Sequence, residues 1–385
     1  MKSVKAVKFA YESTSETREL LRTFRMMVNH AIRIGLDERI KGRFNLRNRI
    51  YREFRERYAV MSCYPYSVAE VAWSILKKHR RWHRRPTASR LMLKMDSASF
   101  SVDNGILGLP KEKEVKVLVP LRYGNYQRSF LTDESLRRGS LTMTDSAIVI
   151  TFSKETPQIA SAKKVGYDLN HKSIVGSDGA RFDLSEVARL HTEYGVRRSG
   201  FDRRHQNDRR LKKKFAASRE RERTKQALSR VSKQIVGKAL KNGEAIVLER
   251  LKGIRKAHQK GDGKGRDSRR RANLWPFRQL QDQIVYKAAW AGVPVEFVNP
   301  RNTSRGCANC QYMNKALKMT ERSWLCPHCG CQLDRDLNAA INIERRGKIL
   351  CLGEVRPGAR GTDEAVKGNE TTTPILRAEA SKLGS

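Results

Sequence analysis

Two kinds of hydrophobic pattern fill the first part of the chain. Apolar and polar residues alternate over residues 1–10, which predicts a strand. Strand-like composition, with glycine and proline turns between the segments, is also found at residues 90–103, 114–120 and 139–153. Between them, apolar residues recur at helical spacing over residues 13–85, after a possible capping box formed by Ser13 and Glu16. We therefore predict a β-barrel from residues 1–12 and 86–157, interrupted by a helical insert at residues 13–85.

From residue 163 onward the pattern is that of alternating strands and helices. The segments KKVGYDL, SIVGS and ARFDL predict a β-meander, and a charged helical stretch at residues 187–240 leads to the buried-type strand EAIVLE. A helix at residues 276–291, the strand VPVEFVNP and a last helix at residues 336–346 follow. The prediction is a multidomain α+β protein whose α/β domain comprises residues 163–302 and 333–347. Residues 253–273 predict a mobile basic loop and residues 348–385 a disordered tail.

The charge of the chain narrows the class of its partner. The chain has 385 residues. Its 79 Lys and Arg residues outnumber its 40 Asp and Glu residues, which gives a formal net charge of +39. A surplus of this size indicates a polyanionic partner such as nucleic acid. There is no run of 18 apolar residues, no signal-peptide core and no P-loop motif, so we expect a cytosolic protein without a membrane partner and without an ATP motor.

Three acidic residues stand out against this basic background. Asp168 follows the first apolar run of the α/β domain, Glu249 ends the strand AIVLE, and Asp336 begins the last helix. Carboxylates in this order meet at one edge of the sheet in RNase H-like nucleases. There they hold two Mg²⁺ ions, or Mn²⁺ in their place, that hydrolyse phosphodiesters. A single acidic residue at the end of a strand or the start of a helix is more often simply solvated. The prediction of a metal site therefore depends on the three residues together.

The third position of this set has an alternative in Asp334. We prefer Asp336 because Asp336, Ala339 and Ala340 fall on one face of the helix at positions i, i+3 and i+4. The two small alanines would let this helix approach the sheet closely.

Seven cysteines in a reducing compartment indicate metal ligation rather than disulfides. Four of them form two C-x2-C pairs separated by 15 residues: Cys307, Cys310, Cys326 and Cys329. This spacing predicts a zinc ribbon at residues 303–332 that holds one structural Zn²⁺, because four thiolates leave no open position for water. Cys331 and His328 are additional donors nearby.

Aromatic and basic residues are interleaved in the helical insert. The candidates for nucleic-acid contacts are Tyr66, Trp73, Lys77, Lys78 and Arg81. Aromatic rings stack on bases and cations bind phosphates. For Trp73 a place in the core of a small helical bundle is the more common alternative.

Several motifs together resemble one protein family. In order, they are Asp168 in its strand, IVLERLKGIR, FRQLQDQIVYKAAWAG, NPRNTSRGCANC, CPHCG and DRDLNAAINI, and they resemble TnpB proteins. These are transposon-encoded nucleases with a RuvC-like domain, related to compact type V CRISPR effectors. The resemblance implies a wedge-like barrel, a helical recognition insert, and cleavage of double-stranded DNA directed by a guide RNA from the transposon end. It also implies that the three carboxylates hold the catalytic metal ions, that the four cysteines hold zinc, and that residues near 66–78 read a short flanking motif.

Two other functions stay open from the sequence. One is a relative that keeps RNA-guided DNA binding and represses without cleavage, and the intact set of carboxylates argues against it. The other is an unguided RNase H-like nuclease, which would not need the N-terminal barrel and helical insert. The sequence does not decide between a monomer and a dimer.

Overall fold

The computed structural model of the chain describes residues 2–79, 85–112, 114–161, 163–199, 208, 210, 219–251, 275–318 and 321–348. The predicted basic loop at residues 253–273, the tail from residue 349 and the candidate Arg81 lie outside these residues. Among the helices that are described, none is long and apolar enough to cross a membrane.

Seven strands form the first sheet. They are β1 (Lys2–Tyr11), β2 (Met92–Met95), β3 (Ser101–Asp103), β4 (Ile106–Pro110), β5 (Lys116–Arg122), β6 (Arg137–Thr144) and β7 (Ile148–Glu155). Their order is β2-β6-β7-β1-β5-β4-β3, and every recorded pair is antiparallel. The alternation predicted for the first ten residues is present in β1, where the outward residues are exposed and the inward residues are buried, apart from the half-buried Lys5. Closure of this sheet into a barrel stays a prediction.

Three helices follow β1: α1 (Ser15–Asp37), α2 (Arg43–Tyr58) and α3 (Cys63–His79). Of these, α1 and α3 contact the sheet, and α2 packs on the other two helices. Their apolar faces share one core with the strands. The capping box predicted from Ser13 and Glu16 is wrong by one residue. Thr14 is the N-cap of α1, and its hydroxyl and that of Thr17 each accept from the other's backbone N–H. A short helix, α4 (Asn125–Leu131), lies between β5 and β6.

The second sheet has five strands: β8 (Lys163–Leu169), β9 (Ser173–Gly176), β10 (Arg181–Asp183), β11 (Glu244–Glu249) and β12 (Val295–Val298). Their order is β10-β9-β8-β11-β12, with β11 parallel to both of its neighbours. The meander β8–β10 and the fully buried strand β11 are as the sequence predicts. The mixed α+β class is therefore confirmed.

Helices cover both faces of the second sheet. They are α5 (Ser185–Ser199), α6 (Glu220–Asn242), α7 (Phe277–Ala291) and α8 (Arg335–Arg346). On one face, α6 and α7 pack on the β8 and β11 side chains in a single apolar core. On the other face α8 lies so close to β8 that a Cβ added to Gly166 would be 2.3 Å from the carbonyl oxygen of Ala340. The close approach predicted from the alanines of α8 is present.

The cysteine segment lies between β12 and α8. It contains a short antiparallel hairpin, β13 (Ser323–Leu325) and β14 (Gln332–Asp334). Its small core consists of Leu317 and Trp324 together with Cys307 and Cys326.

Candidate functional site

The positions of Asp168 and Glu249 follow from the register of two parallel strands. β8 and β11 are paired up to Tyr167 opposite Leu248, so the next residues lie side by side: Asp168, the last but one of β8, and Glu249, the last of β11. Tyr167 and Leu248 face the core under α6 and α7. Because side chains alternate along a strand, Asp168 and Glu249 point to the opposite face, which α8 covers.

Asp168 is partly buried among other carboxylates. Burial raises the pKa of Asp168 to about 7, and the negative charges of Glu249 and Asp336 act in the same direction. A hydrogen bond from Asn170 Nδ2 to Asp168 Oδ2, 2.7 Å long, opposes the rise in pKa. The dominant effects therefore disfavour the bare anion, which a bound cation would stabilise.

Glu249 is buried, with 7 % of its surface exposed. Its Oε1 accepts a 2.6 Å hydrogen bond from the hydroxyl of Thr303, and Gln281 Nε2 donates to its backbone carbonyl at 2.7 Å. Burial raises the pKa of Glu249, while the Thr303 hydrogen bond and the charge of Arg346 lower it. Thr303 orients this carboxylate, and it was not identified from the sequence.

Asp336 is the second residue of α8, and its side chain is 16 % exposed. Arg322, also missed in the sequence, places Nη1 3.4 Å from both carboxylate oxygens of Asp336. Asp334 has a different environment. Its Oδ1 accepts the backbone N–H groups of Asp336 and Leu337 as the N-cap of α8, and its Oδ2 pairs with Arg181 at 3.2 Å.

The three carboxylates share one edge of the sheet at a wider spacing than the cysteines. Among the described residues, the four cysteines are the one group of three or more Asp, Glu, His or Cys side chains with ligand atoms all within 4.8 Å of one another.

Two asparagines on α8 fasten the cysteine segment to the same helix that carries Asp336. Asn338 Oδ1 accepts the backbone N–H of Ala308 at 2.7 Å, and its Nδ2 donates to the carbonyl of Gly306 at 2.8 Å. Asn342 Nδ2 donates to the carbonyls of Thr303 and Gly306 at 2.8 and 2.7 Å. Both asparagines are buried, so these contacts fix the loop that leads into the first cysteine pair.

The four predicted cysteines come together. The sulfur atoms of Cys307 and Cys329 are 3.7 Å apart, and those of Cys310 and Cys326 are 3.6 Å apart. Four sulfurs at about 2.3 Å from a tetrahedral zinc ion are about 3.8 Å from one another. The cluster can therefore hold a metal ion such as zinc. Cys331 is not one of the four, and the ring of His328 stacks on Tyr312 with centroids 5.7 Å apart.

The candidate nucleic-acid residues of the insert have different surroundings. Tyr66 is 46 % exposed, and the guanidinium of Arg47 lies 4.9 Å from the centre of its ring. Lys77 and Lys78 are exposed in the last turn of α3. Trp73 is partly buried against the apolar core, which is the alternative considered for it.

Parts of the chain are similar to TnpB-like proteins and to Cas12f1 proteins. Residues 277–343 match the family described as Cas12f1-like, TNB domain. The TnpB-like protein MJ0751 of Methanocaldococcus jannaschii is 29% identical over 248 residues, which cover 60% of this chain and 87% of that protein. The CRISPR-associated endodeoxyribonuclease Cas12f1 of Sulfoacidibacillus thermotolerans is 32% identical over 115 residues, 30% of this chain and 25% of that protein.

The fold is also similar to that of a solved nuclease complex. A chain in a cryo-EM structure of a Cas12f1–sgRNA–target DNA complex superposes with a TM-score of 0.54 at 15% identity, over 86% of this chain and 83% of that one. The resemblance to TnpB proteins predicted from the motifs is confirmed, and it extends to Cas12f1 proteins.

Proposed function

From the similarity of this chain to TnpB-like proteins and Cas12f1 nucleases, we propose that it is an RNA-guided DNA endonuclease. It cleaves double-stranded DNA beside a short flanking motif, and its guide RNA comes from the end of a transposon. The observation that carries this proposal is the convergence of Asp168, Glu249 and Asp336 on one edge of the second sheet, under α8. The charge of +39 suits a protein that holds RNA and DNA together.

Asp168, Glu249 and Asp336 are the proposed ligands of two Mg²⁺ ions, or of Mn²⁺. The donor set fits such ions, because hard divalent cations prefer carboxylate oxygens and these carboxylates raise the pKa of Asp168 by mutual repulsion. Bound at this edge, the ions would activate the attacking water and stabilise the leaving oxygen.

Other residues of the site position these ligands and the nucleic acid. Thr303 holds one oxygen of Glu249, and Asn170 holds one oxygen of Asp168. Arg322 is 72% exposed beside Asp336, where its guanidinium can contact a phosphate of the strand that enters the site. Asp334 caps α8 and pairs with Arg181, which supports Asp336 as the third ligand.

The remaining assignments complete the proposal. Cys307, Cys310, Cys326 and Cys329 hold one structural zinc ion in a ribbon at residues 303–332. The nuclease domain comprises residues 163–302 and 333–347, and the wedge-like barrel comprises residues 1–12 and 86–157. Residues 13–85 form the recognition insert. There Tyr66, Lys77 and Lys78 contact nucleic acid, and Arg81, outside the described residues, is proposed with them.

Two experiments test this function. Sequencing of RNA that copurifies with the protein is expected to show one defined species that ends in a variable segment, and random RNA would favour an unguided nuclease. With that RNA and a matching DNA duplex, Asp168→Ala or Glu249→Ala is expected to abolish Mg²⁺-dependent cleavage and leave DNA binding near normal. Retained cleavage in either variant would refute the metal-site assignment.

A further inference from the structure

Two lysines occupy inward positions of the first sheet. In β1, Ser3, Val7 and Phe9 are buried, and Lys5 belongs to the same alternating set. Lys5 pairs directly with Phe152 of β7, a core residue, and Ser3 pairs with Lys154. Because directly paired residues project from the same face, both lysines point to the side of the sheet that carries the core.

An indole from the second sheet's helices lies against both lysines. The Nζ atoms of Lys5 and Lys154 are 4.4 and 4.8 Å from the centre of the Trp290 ring on α7. Ser3 Oγ donates to the carbonyl of Ala289 at 2.8 Å, so β1 and α7 are in contact here. Phe130 of α4 completes the surroundings, with Lys5 Nζ 5.7 Å from its ring centre. The two ammonium groups therefore share one aromatic ring at the junction of the two sheets.

Among the described residues, neither Lys5 nor Lys154 forms an ion pair, and the aromatic rings offer only a partial negative face. Burial and the charge of Lys154 lower the pKa of Lys5 to about 8. Burial, and then the charges of Lys5 and Lys233, lower the pKa of Lys287 to about 8. Lys287 is satisfied by acceptors on α6, whereas no carboxylate in the described part of the chain pairs with Lys5 or Lys154.

We propose that Lys5 and Lys154 bind the phosphodiester backbone of a nucleic acid that crosses the junction between β1 and α7. The ligand class rests on the proposed function, whereas the position rests on the contacts of these two lysines. A phosphate group would supply the missing negative charge and accept hydrogen bonds from both ammonium groups. Tyr126, 62% exposed, packs on Phe130 at 5.1 Å between ring centres and offers an aromatic face beside the phosphate.

A purely structural role for the two lysines predicts the opposite response to their removal. If they only fill space against Trp290, replacing a desolvated charge with an apolar chain of similar length should leave nucleic-acid binding unchanged. Lys5→Met and Lys154→Met make this replacement. Lys8→Met is the matched control, because Lys8 lies on the outward, exposed face of the same strand.

Binding is measured in the Asp168→Ala background, so that cleavage plays no part. The probes are a labelled single-stranded RNA and a labelled DNA duplex, each titrated at several salt concentrations. Each lost phosphate contact to single-stranded RNA should lower the salt slope by about 0.7, which is about a fivefold loss of affinity at about 0.1 M salt. Lys5→Met and Lys154→Met are expected to show this loss and Lys8→Met is not.

The two probes identify the source of the phosphate. A loss confined to RNA assigns the site to the RNA, and a loss confined to the duplex assigns it to DNA. If the parent binds both probes and the two variants bind them as Lys8→Met does, this inference is refuted and the proposed function stands. If the parent binds neither probe, the proposed function fails as well. Thermal unfolding without nucleic acid confirms that each variant is folded.

Discussion

Asp334 and Asp336 are two residues apart, and the structure predicts opposite effects for their removal. Asp334→Ala deletes the acceptor of two backbone N–H groups at the start of α8, at 3.0 and 2.9 Å. Loss of such an N-cap costs about 1 kcal/mol. The half-exposed ion pair with Arg181 adds about 0.2–1 kcal/mol. We therefore expect Asp334→Ala to lower the free energy of unfolding by about 1–2 kcal/mol and to leave cleavage within a few-fold of the parent.

Asp336→Ala should leave stability nearly unchanged and abolish cleavage. Asp336 raises the pKa of Asp168 by repulsion, so its removal relieves strain between like charges in the metal-free protein. Its own contact with Arg322 is 3.4 Å long and involves a guanidinium that is 72% exposed, so little stability is lost with it. Cleavage should be lost because the proposed oxygen ligand of the metal ion is removed.

Asparagine variants provide matched controls for both positions. Asparagine caps helices about as well as aspartate, so Asp334→Asn should recover the stability that Asp334→Ala loses. Asp336→Asn keeps the size of the side chain but removes its charge, and it should stay inactive. The assays are denaturant unfolding and Mg²⁺-dependent cleavage of a guided DNA duplex. Loss of cleavage in Asp334→Asn with normal cleavage in Asp336→Asn would refute the assignment.

Three further predictions concern the metal sites. Thr303→Val removes the hydroxyl that orients Glu249. The Mg²⁺ concentration for half-maximal cleavage should therefore rise about 10–100-fold. Thr303→Ser keeps a hydroxyl and should need about the same Mg²⁺ concentration as the parent. Elemental analysis should find about one zinc per chain, lost in Cys326→Ser and kept in Cys331→Ser. The pKa of Asp168 is raised from 3.8 to about 7 in the folded state, so the metal-free protein should lose stability as pH rises from about 4 to about 7, with no further loss above that. The melting temperature of Asp168→Asn should therefore rise relative to that of the parent between about pH 4 and 7 and stay at a constant difference above pH 7; a difference that is constant over the whole range would contradict this.

The sequence predicted the elements that bear the carboxylates because their signals are local. Asp168 and Glu249 each follow a short apolar run, and parallel pairing of β8 with β11 brings the ends of those runs together. The four cysteines were equally visible, since their spacing alone indicates a metal-binding cluster. At the start of α1 the sequence predicted the wrong capping pair, because adjacent hydroxyl residues at positions 13 and 14 offer nearly equivalent caps.

The residues that support the carboxylates have no such local signal. Thr303 and Arg322 reach Glu249 and Asp336 from segments that are distant in sequence, so only the tertiary structure brings them together. Asn338 and Asn342 are an intermediate case. Two amides at positions i and i+4 among the buried residues of a helix indicate a shared polar contact, although not which loop they hold.

The helix α8 explains how the four-cysteine cluster, for which we propose a structural role, is linked to the carboxylates. Asp336 is in the first turn of α8, and Asn338 and Asn342 hold residues 303–308 against the same helix. That loop contains Thr303, which orients Glu249, and it continues into the first cysteine pair. Movement of the cysteine segment would therefore displace ligands on both α8 and β11. A structural ion in this segment would keep the carboxylates correctly positioned. Zinc is therefore expected to affect cleavage by holding Asp336 and Glu249 in place, without contacting the reacting phosphate.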